Sequence, residues 1–215
     1  MLKLHSFTRS PNPLKVRMAL NELGLPHEIK EINLFKGEHM SPEFKKINPM
    51  QGVPVLEDDG LVLSESNAIL AYLGRKLKTS LWPIDPKLEA AALQWLFFES
   101  TLLIRRCGIL WWSETIAPKT GMEGMTEGEL VEATEDLMDT FDRIEPLLSG
   151  QRYILSNDFS LVDCSIGPVM NMLRETRLRG LSKWPGIQAY ADRVRARPSW
   201  KISDGDAIYS STWKN

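Results

Sequence analysis

A proline stands inside the run Val53-Pro54-Val55-Leu56, where its neighbours all favour a β-strand. Proline offers no N–H to a ladder, so it belongs at the first position of a strand or on a sheet edge. A cis Val53–Pro54 bond makes such a placement deliberate. It turns the main-chain N–H and C=O of Val53 outward, free to pair with something other than protein. Asp58-Asp59-Gly60 signals a turn between two short apolar strands, Val53 to Glu57 and Leu61 to Leu63. Ser64-Glu65-Ser66 marks the start of a helix whose apolar side is Ile69, Leu70, Leu73 and Leu77. A helix start carries unpaired N–H groups and roughly half a positive charge, which favours a carboxylate. The same serines also suit plain capping, and both readings stand on local grounds.

The segments before this stretch alternate. Leu2 to Phe7 reads as a strand, and a helix follows with Val16, Ala19, Leu20 and Leu23 on one side. Gly24 suits the position past a helix end, and Pro26 prevents continuation. His27 to Leu34 is a second strand, so the unit implies a parallel pair with a right-handed crossover. Ser41-Pro42 opens a short helix carrying Phe44 and Ile47. Residues 1–78 therefore spell βαβαββα, an α/β domain. Residues 79–87 carry two prolines and no periodicity, and read as a linker. Across 88–215 strand signals largely vanish. Helical runs at Leu88 to Ile116, Glu127 to Leu148, Ser160 to Arg177 and Pro185 to Arg197 imply an all-α bundle. Within it, Ser160 and Asp163 form a capping-box variant, which makes Cys164 a core residue.

Composition removes several classes of function. A net charge of −2 over 215 residues supplies no basic field for nucleic acid. No apolar run is long enough to span a bilayer. Strand-like sequence from Leu2 leaves no room for a signal peptide, so cytoplasmic residence is the expectation. Cys107 and Cys164 have neither metal nor redox spacing, and no metal is expected.

The segment from Thr8 to Arg17 contains two candidate caps, Ser10-Pro11 and Asn12-Pro13. Proline is favoured at the first helical position, and it biases the preceding residue away from α. The economical assignment makes Asn12 the cap and Pro13 the first helical residue. Ser10 is then a loop residue with an uncommitted hydroxyl, or simply a turn residue.

The run VPVLEDDGLVLSESNAILAYL resembles the second half of the N-terminal domain of cytosolic glutathione transferases, and the resemblance covers essentially the whole chain. It implies a thioredoxin-like first domain, an all-helical second domain, and glutathione as co-substrate. It also implies that Val53 and Pro54 present main-chain groups to the cysteinyl part of glutathione, and that Glu65 and Ser66 hold its γ-glutamyl end. His39 is similar to a histidine that meets the glycine carboxylate in the phi kind. Gln51 substitutes for the side chain usual just before Val-Pro, where this chain has Gly52.

By the same resemblance Ser10 matches the catalytic serine of the phi, zeta and theta kinds, while Asn12 is similar to the nu kind. Free thiols titrate near ~8.5, and lowering that by about two units needs roughly 2.7 kcal/mol of preference for the anion. One hydrogen bond to a charged group contributes about 1.5–3 kcal/mol and a helix N-terminus about 0.3–1 kcal/mol. One hydroxyl placed at a helix start therefore suffices, with no catalytic histidine or metal required.

The implied reaction joins the glutathione thiolate to a small hydrophobic electrophile. Phe7 and Thr8 on one side and Arg105, Ile109, Trp111 and Trp112 on the other are the implied walls of its site, with Tyr209 and Trp213 as further candidates. Core packing is the competing role for these side chains. Adjacent tryptophans diverge by about 100° on a helix, so at most one faces a cleft. The family's two-fold homodimer is expected, with Met50 as a candidate key into the partner. A nu-like disulfide or peroxide reductase and a non-catalytic ligand-binding module are the alternative functions.

Overall fold

The computed structural model describes residues 1–178 and 181–209. The first half runs β1 (Leu2–Ser6), α1 (Pro11–Glu22), β2 (His27–Glu31), α2 (Pro42–Ile47), β3 (Val55–Asp58), β4 (Leu61–Ser64) and α3 (Ser66–Leu77), the order read from the sequence. The sheet has four strands in the order β2-β1-β3-β4. β1 pairs parallel with β2 and antiparallel with β3, and β3 pairs antiparallel with β4.

Side-chain alternation explains the layers. Leu4 and Leu56 face each other across the β1–β3 ladder and pack with Val16, Leu20, Ile69 and Leu73 of α1 and α3. The next pair, His5 and Val55, points to the opposite face, where Phe44 of α2 covers it. α1 and α3 thus lie on one face and α2 on the other, the thioredoxin-like arrangement.

The second half is helical among the described residues. It comprises α4 (Pro86–Phe98), α5 (Ile104–Trp111), α6 (Ala117–Thr120), α7 (Glu127–Gly150), α8 (Leu161–Met172), α9 (Pro185–Arg195) and α10 (Pro198–Ile202). α8 is buried along its whole length and packs on α1, α3, α5 and α9. A Cβ at Gly167 would come within 2.4 Å of Val194, so only glycine lets α8 approach α9 this closely. At the head of α8, the Asp163 carboxylate accepts the Ser160 N–H at 2.8 Å and the Ile154 N–H at 3.0 Å, and Cys164 is buried.

Several helical boundaries differ from the sequence reading: the run expected from Ser160 to Arg177 is α-helical only over Leu161–Met172 and ends in a 3-10 turn, Leu173–Glu175. The run expected from Leu88 to Ile116 begins at Pro86, and two π-helical turns, Glu99–Leu103 and Trp112–Ile116, interrupt it. Each turn re-phases the apolar stripe, which a single helical period cannot reveal. The run expected from Pro185 to Arg197 ends at Arg195, because Arg197 precedes Pro198 and is extended at φ −67°, ψ 144°. No described helix is long and apolar enough to cross a membrane.

Candidate functional site

The expected start of α1 is corrected by the structure. The helix begins at Pro11, so Ser10 occupies the N-cap at φ −99°, ψ 134°, and Asn12 lies inside the first turn. Proline in a first turn removes only donors that have no helical partner, and the residue four before Pro13 lies outside the helix, where no carbonyl obstructs the ring. The consequence for Ser10 is specific. A cap side chain accepts from the second or third helical N–H. Pro13 deletes the third, and the Ser10 side chain makes no capping bond. Leu14 N–H goes to the Ser10 carbonyl at 3.3 Å. Of the four N–H positions without a helical partner at this end, Pro11 and Pro13 carry no N–H and Ser10 N–H goes to Phe7 O at 3.0 Å, which leaves the Asn12 N–H.

Asn12 lines a cavity of about 620 Å³. Its other walls are Met50, Gly52, Val53 and Pro54 of the loop before β3, Ser64 to Asn67 at the head of α3, and Leu93, Phe97, Glu99 and Ser100 of α4 and the first π turn. The Val53–Pro54 bond is cis, and Val53 lies ahead of the first ladder pair, His5–Val55. Asn48 braces this loop: its Nδ2 donates to Gly52 O at 2.8 Å, and its Oδ1 accepts Met50 N–H at 3.1 Å.

Glu65 stands at the N-cap of α3 with φ 68° and ψ 111°. A non-glycine residue held there carries about 1–3 kcal/mol of strain, and such strain clusters at functional sites. Ser66 is the first residue of α3 and is buried. The open ends of α1 and α3 and the main chain at Val53 therefore meet at one cavity.

Below it lies a buried polar junction. Lys15 Nζ donates to Glu99 Oε1 at 2.6 Å. Asn67 Nδ2 donates to Glu99 Oε2 at 2.8 Å, and Ser165 Oγ to Asn67 Oδ1 at 2.7 Å. Burial lowers the Lys15 pKa, and Glu99 opposes that shift. Sequence reading missed Lys15, Asn48, Asn67, Glu99 and Ser165. Lys15 alone left a signal: it lies four and eight residues before Ala19 and Leu23, on the apolar side of α1.

The remaining candidates disperse. Ser10, His39 and Gln51 lie outside the cavity wall, with His39 in a 3-10 turn and Gln51 in a left-handed conformation at φ 56°. Phe7 is buried edge-on to Phe35, and Thr8 donates its N–H and Oγ–H to Glu31. Arg105 is exposed and Ile109 half-buried. Trp111 enters the core, whereas Trp112 is half-buried against it and donates from Nε1 to Glu123 O at 3.0 Å. The Tyr209 side chain and Trp213 lie outside the described residues. No described cluster of three or more His, Cys, Asp or Glu could hold a metal ion.

The family description "Glutathione S-transferase, N-terminal domain" matches residues 1–75, and "Glutathione S-transferase, C-terminal domain" matches residues 110–198. A glutathione S-transferase of Hyoscyamus muticus is 30% identical, covering 93% of this chain and 95% of its own. A glutathione transferase structure from Populus trichocarpa superposes with a TM-score of 0.87 at 27% identity, covering 97% of this chain and 99% of its own. A glutathione S-transferase structure bound with lactoylglutathione superposes with a TM-score of 0.83 at 30% identity, covering 94% of this chain and 98% of its own.

Proposed function

We propose, from the premise that this chain belongs to the glutathione S-transferase family, that its cavity holds glutathione and presents the sulfur as a thiolate to a small hydrophobic electrophile. The carrying observation is the convergence of Asn12, Val53-Pro54 and Glu65-Ser66 on one cavity wall. The Val53 main chain pairs with the cysteinyl unit. The head of α3 and the Glu65 carboxylate take the γ-glutamyl end, and Gln51 and His39 meet the glycine end from outside the wall.

The sulfur faces the open end of α1. The Asn12 N–H and side-chain amide donate to it, with the unclaimed Ser10 hydroxyl as a second donor. The thiol proton leaves to solvent. The thiolate then forms the carbon–sulfur bond while the electrophile releases a leaving group or takes up charge. Leu93 and Ile104, apolar residues of the same cavity, are the proposed contacts for that second substrate.

Homodimerisation through α3 and α4 is part of the same proposal. Met50 and Phe97 are exposed at 82% and 66% and line the rim of the cavity, where a second copy covers them. A monomer by sedimentation at micromolar concentration removes this element. We place the enzyme in the cytoplasm.

The central test is paired. Retention on immobilised glutathione is expected, together with turnover of a chloronitrobenzene electrophile above that of a mixed glutathione disulfide. The reverse order of rates makes the chain a reductase, and binding without turnover of either makes it a ligand-binding module.

A further inference from the structure

Arg17 is on α1, five residues after Asn12, and is only 3% exposed. Its fork donates four hydrogen bonds. Nη1 reaches Ser6 Oγ at 2.8 Å and Phe7 O at 3.3 Å, Nη2 reaches Thr8 O at 2.8 Å, and Nε reaches Ser203 O at 3.0 Å. The Phe7 carbonyl also accepts the Ser10 N–H at 3.0 Å, which closes the turn that leads into α1. From the other side, Glu31 takes the Thr8 N–H and hydroxyl, each at 2.9 Å. The turn that delivers Ser10 to the N-cap is thus clamped between a cation and an anion. The cation's fourth acceptor belongs to the segment after α10. There Ser203 is buried, and Asn21 Nδ2 holds its hydroxyl at 2.8 Å.

A buried charge contributes little net stability compared with a packed apolar replacement. Three carbonyls and a hydroxyl are instead matched by one planar fork, which a lysine cannot reproduce from a single ammonium. Burial lowers the Arg17 pKa to about 10, with Glu31 and Asp204 opposing, so the group keeps its charge at neutral pH.

We propose that Arg17 is a positioning residue for thiolate formation: through the Phe7 and Thr8 carbonyls it sets the Ser10 turn and the open end of α1, and through Ser203 it makes that setting depend on the docked C-terminal segment. The inference rests on the reading of the cavity given above. Displacing a reacting group by about 1 Å costs rate on the order of a hundredfold, so a clamp two residues from Ser10 acts on chemistry more than on binding.

The test compares Arg17→Lys, Arg17→Ala and Asn21→Ala with the wild-type enzyme. The glutathione thiol in the binary complex is titrated by its ultraviolet thiolate band, and kcat and KM are measured separately. Arg17→Lys is expected to raise the thiol pKa by about one unit and, through the smaller thiolate fraction, to lower kcat at neutral pH by about threefold or more. The glutathione KM moves by less than about threefold, because Val53 and the head of α3 are untouched. Millimolar guanidinium partly restores kcat in Arg17→Ala by refilling the vacated fork.

Asn21→Ala loosens Ser203 without emptying a buried site and shifts both readouts in the same direction, by less. A folded Arg17→Lys enzyme with wild-type thiol pKa and kcat overturns this inference alone. A wild-type complex with an ordinary thiol pKa overturns the cavity reading and this inference with it. If both Arg17 variants fail to fold, an unchanged thiol pKa in Asn21→Ala overturns it.

Discussion

Lys15 and Glu99 form an ion pair of 2.6 Å between α1 and the first π turn, and each side chain is only 1% exposed. The pair ties α1 to the helical half of the chain. Breaking it from one side leaves a buried charge alone, which costs about 3–5 kcal/mol. Glu99→Gln and Lys15→Met are each expected to lower the melting temperature by more than about 6 °C in a chain of this length. The double replacement Lys15→Met with Glu99→Leu is expected to recover most of that loss, because it leaves no unpaired charge. Melting curves of the three variants check this. An additive double variant contradicts the pairing.

Asn12 and Ser10 divide the proposed sulfur contact. Losing a hydrogen bond to a charged group costs about 1.5–3 kcal/mol, equivalent to about one to two units in the glutathione thiol pKa. Asn12 lines the cavity and Ser10 does not, so Asn12→Ala is expected to raise the thiol pKa more than Ser10→Ala. Both leave the glutathione KM within about threefold. Titration of the bound thiol in the two variants decides the order, and a larger effect at Ser10 transfers the leading role to its hydroxyl.

The fold was legible because its signals are local. Turn chemistry at Asp59-Gly60, the proline at the mouth of β3 and the apolar side of α1 each act within a few residues. The junction beneath the cavity was not, since Lys15, Asn67, Glu99 and Ser165 come from four separate elements and meet only on folding. The start of α1 was misjudged for a different reason. The bias against α in a residue preceding proline is a local preference, and helix continuation through the Leu14 N–H to Ser10 O bond overrides it at Asn12. The π turns escaped because hydrophobic residues in them still recur at nearly helical spacing, so an inserted residue leaves no gap in the pattern.

Asp163 gives the protein a pH signature. Burial raises its pKa from 3.8 to about 6, opposed by hydrogen bonds that include those from Ile154 N–H, Ser160 N–H and Ser160 Oγ–H. A folded-state pKa above the unfolded value means that the contribution to stability is complete below about pH 4. It is lost as pH rises through about 6. Asp163→Asn removes this titration and misplaces a donor against the Ser160 N–H, so it is expected to be less stable at every pH. Its deficit relative to wild type should shrink by about 2–3 kcal/mol between pH 4 and 7. Denaturant midpoints across that window check the slope, and a constant deficit contradicts it.

Glu65 sets stability against binding. Its backbone at φ 68° suits glycine, whereas a glutamate held there is strained. Glu65→Gly relieves that strain, and the larger backbone entropy of the unfolded glycine offsets part of the gain. The expected net is a melting temperature equal to or up to a few degrees above wild type. The same change removes a carboxylate from the cavity wall, where the proposed γ-glutamyl contact is a charge-assisted bond. Truncating one partner of such a bond costs about 2 kcal/mol or more, so the glutathione KM is expected to rise by at least about tenfold. Calorimetry and glutathione saturation curves on one preparation read both quantities. A variant that melts lower while keeping its KM would mean that the unusual backbone at Glu65 serves the fold and not the ligand.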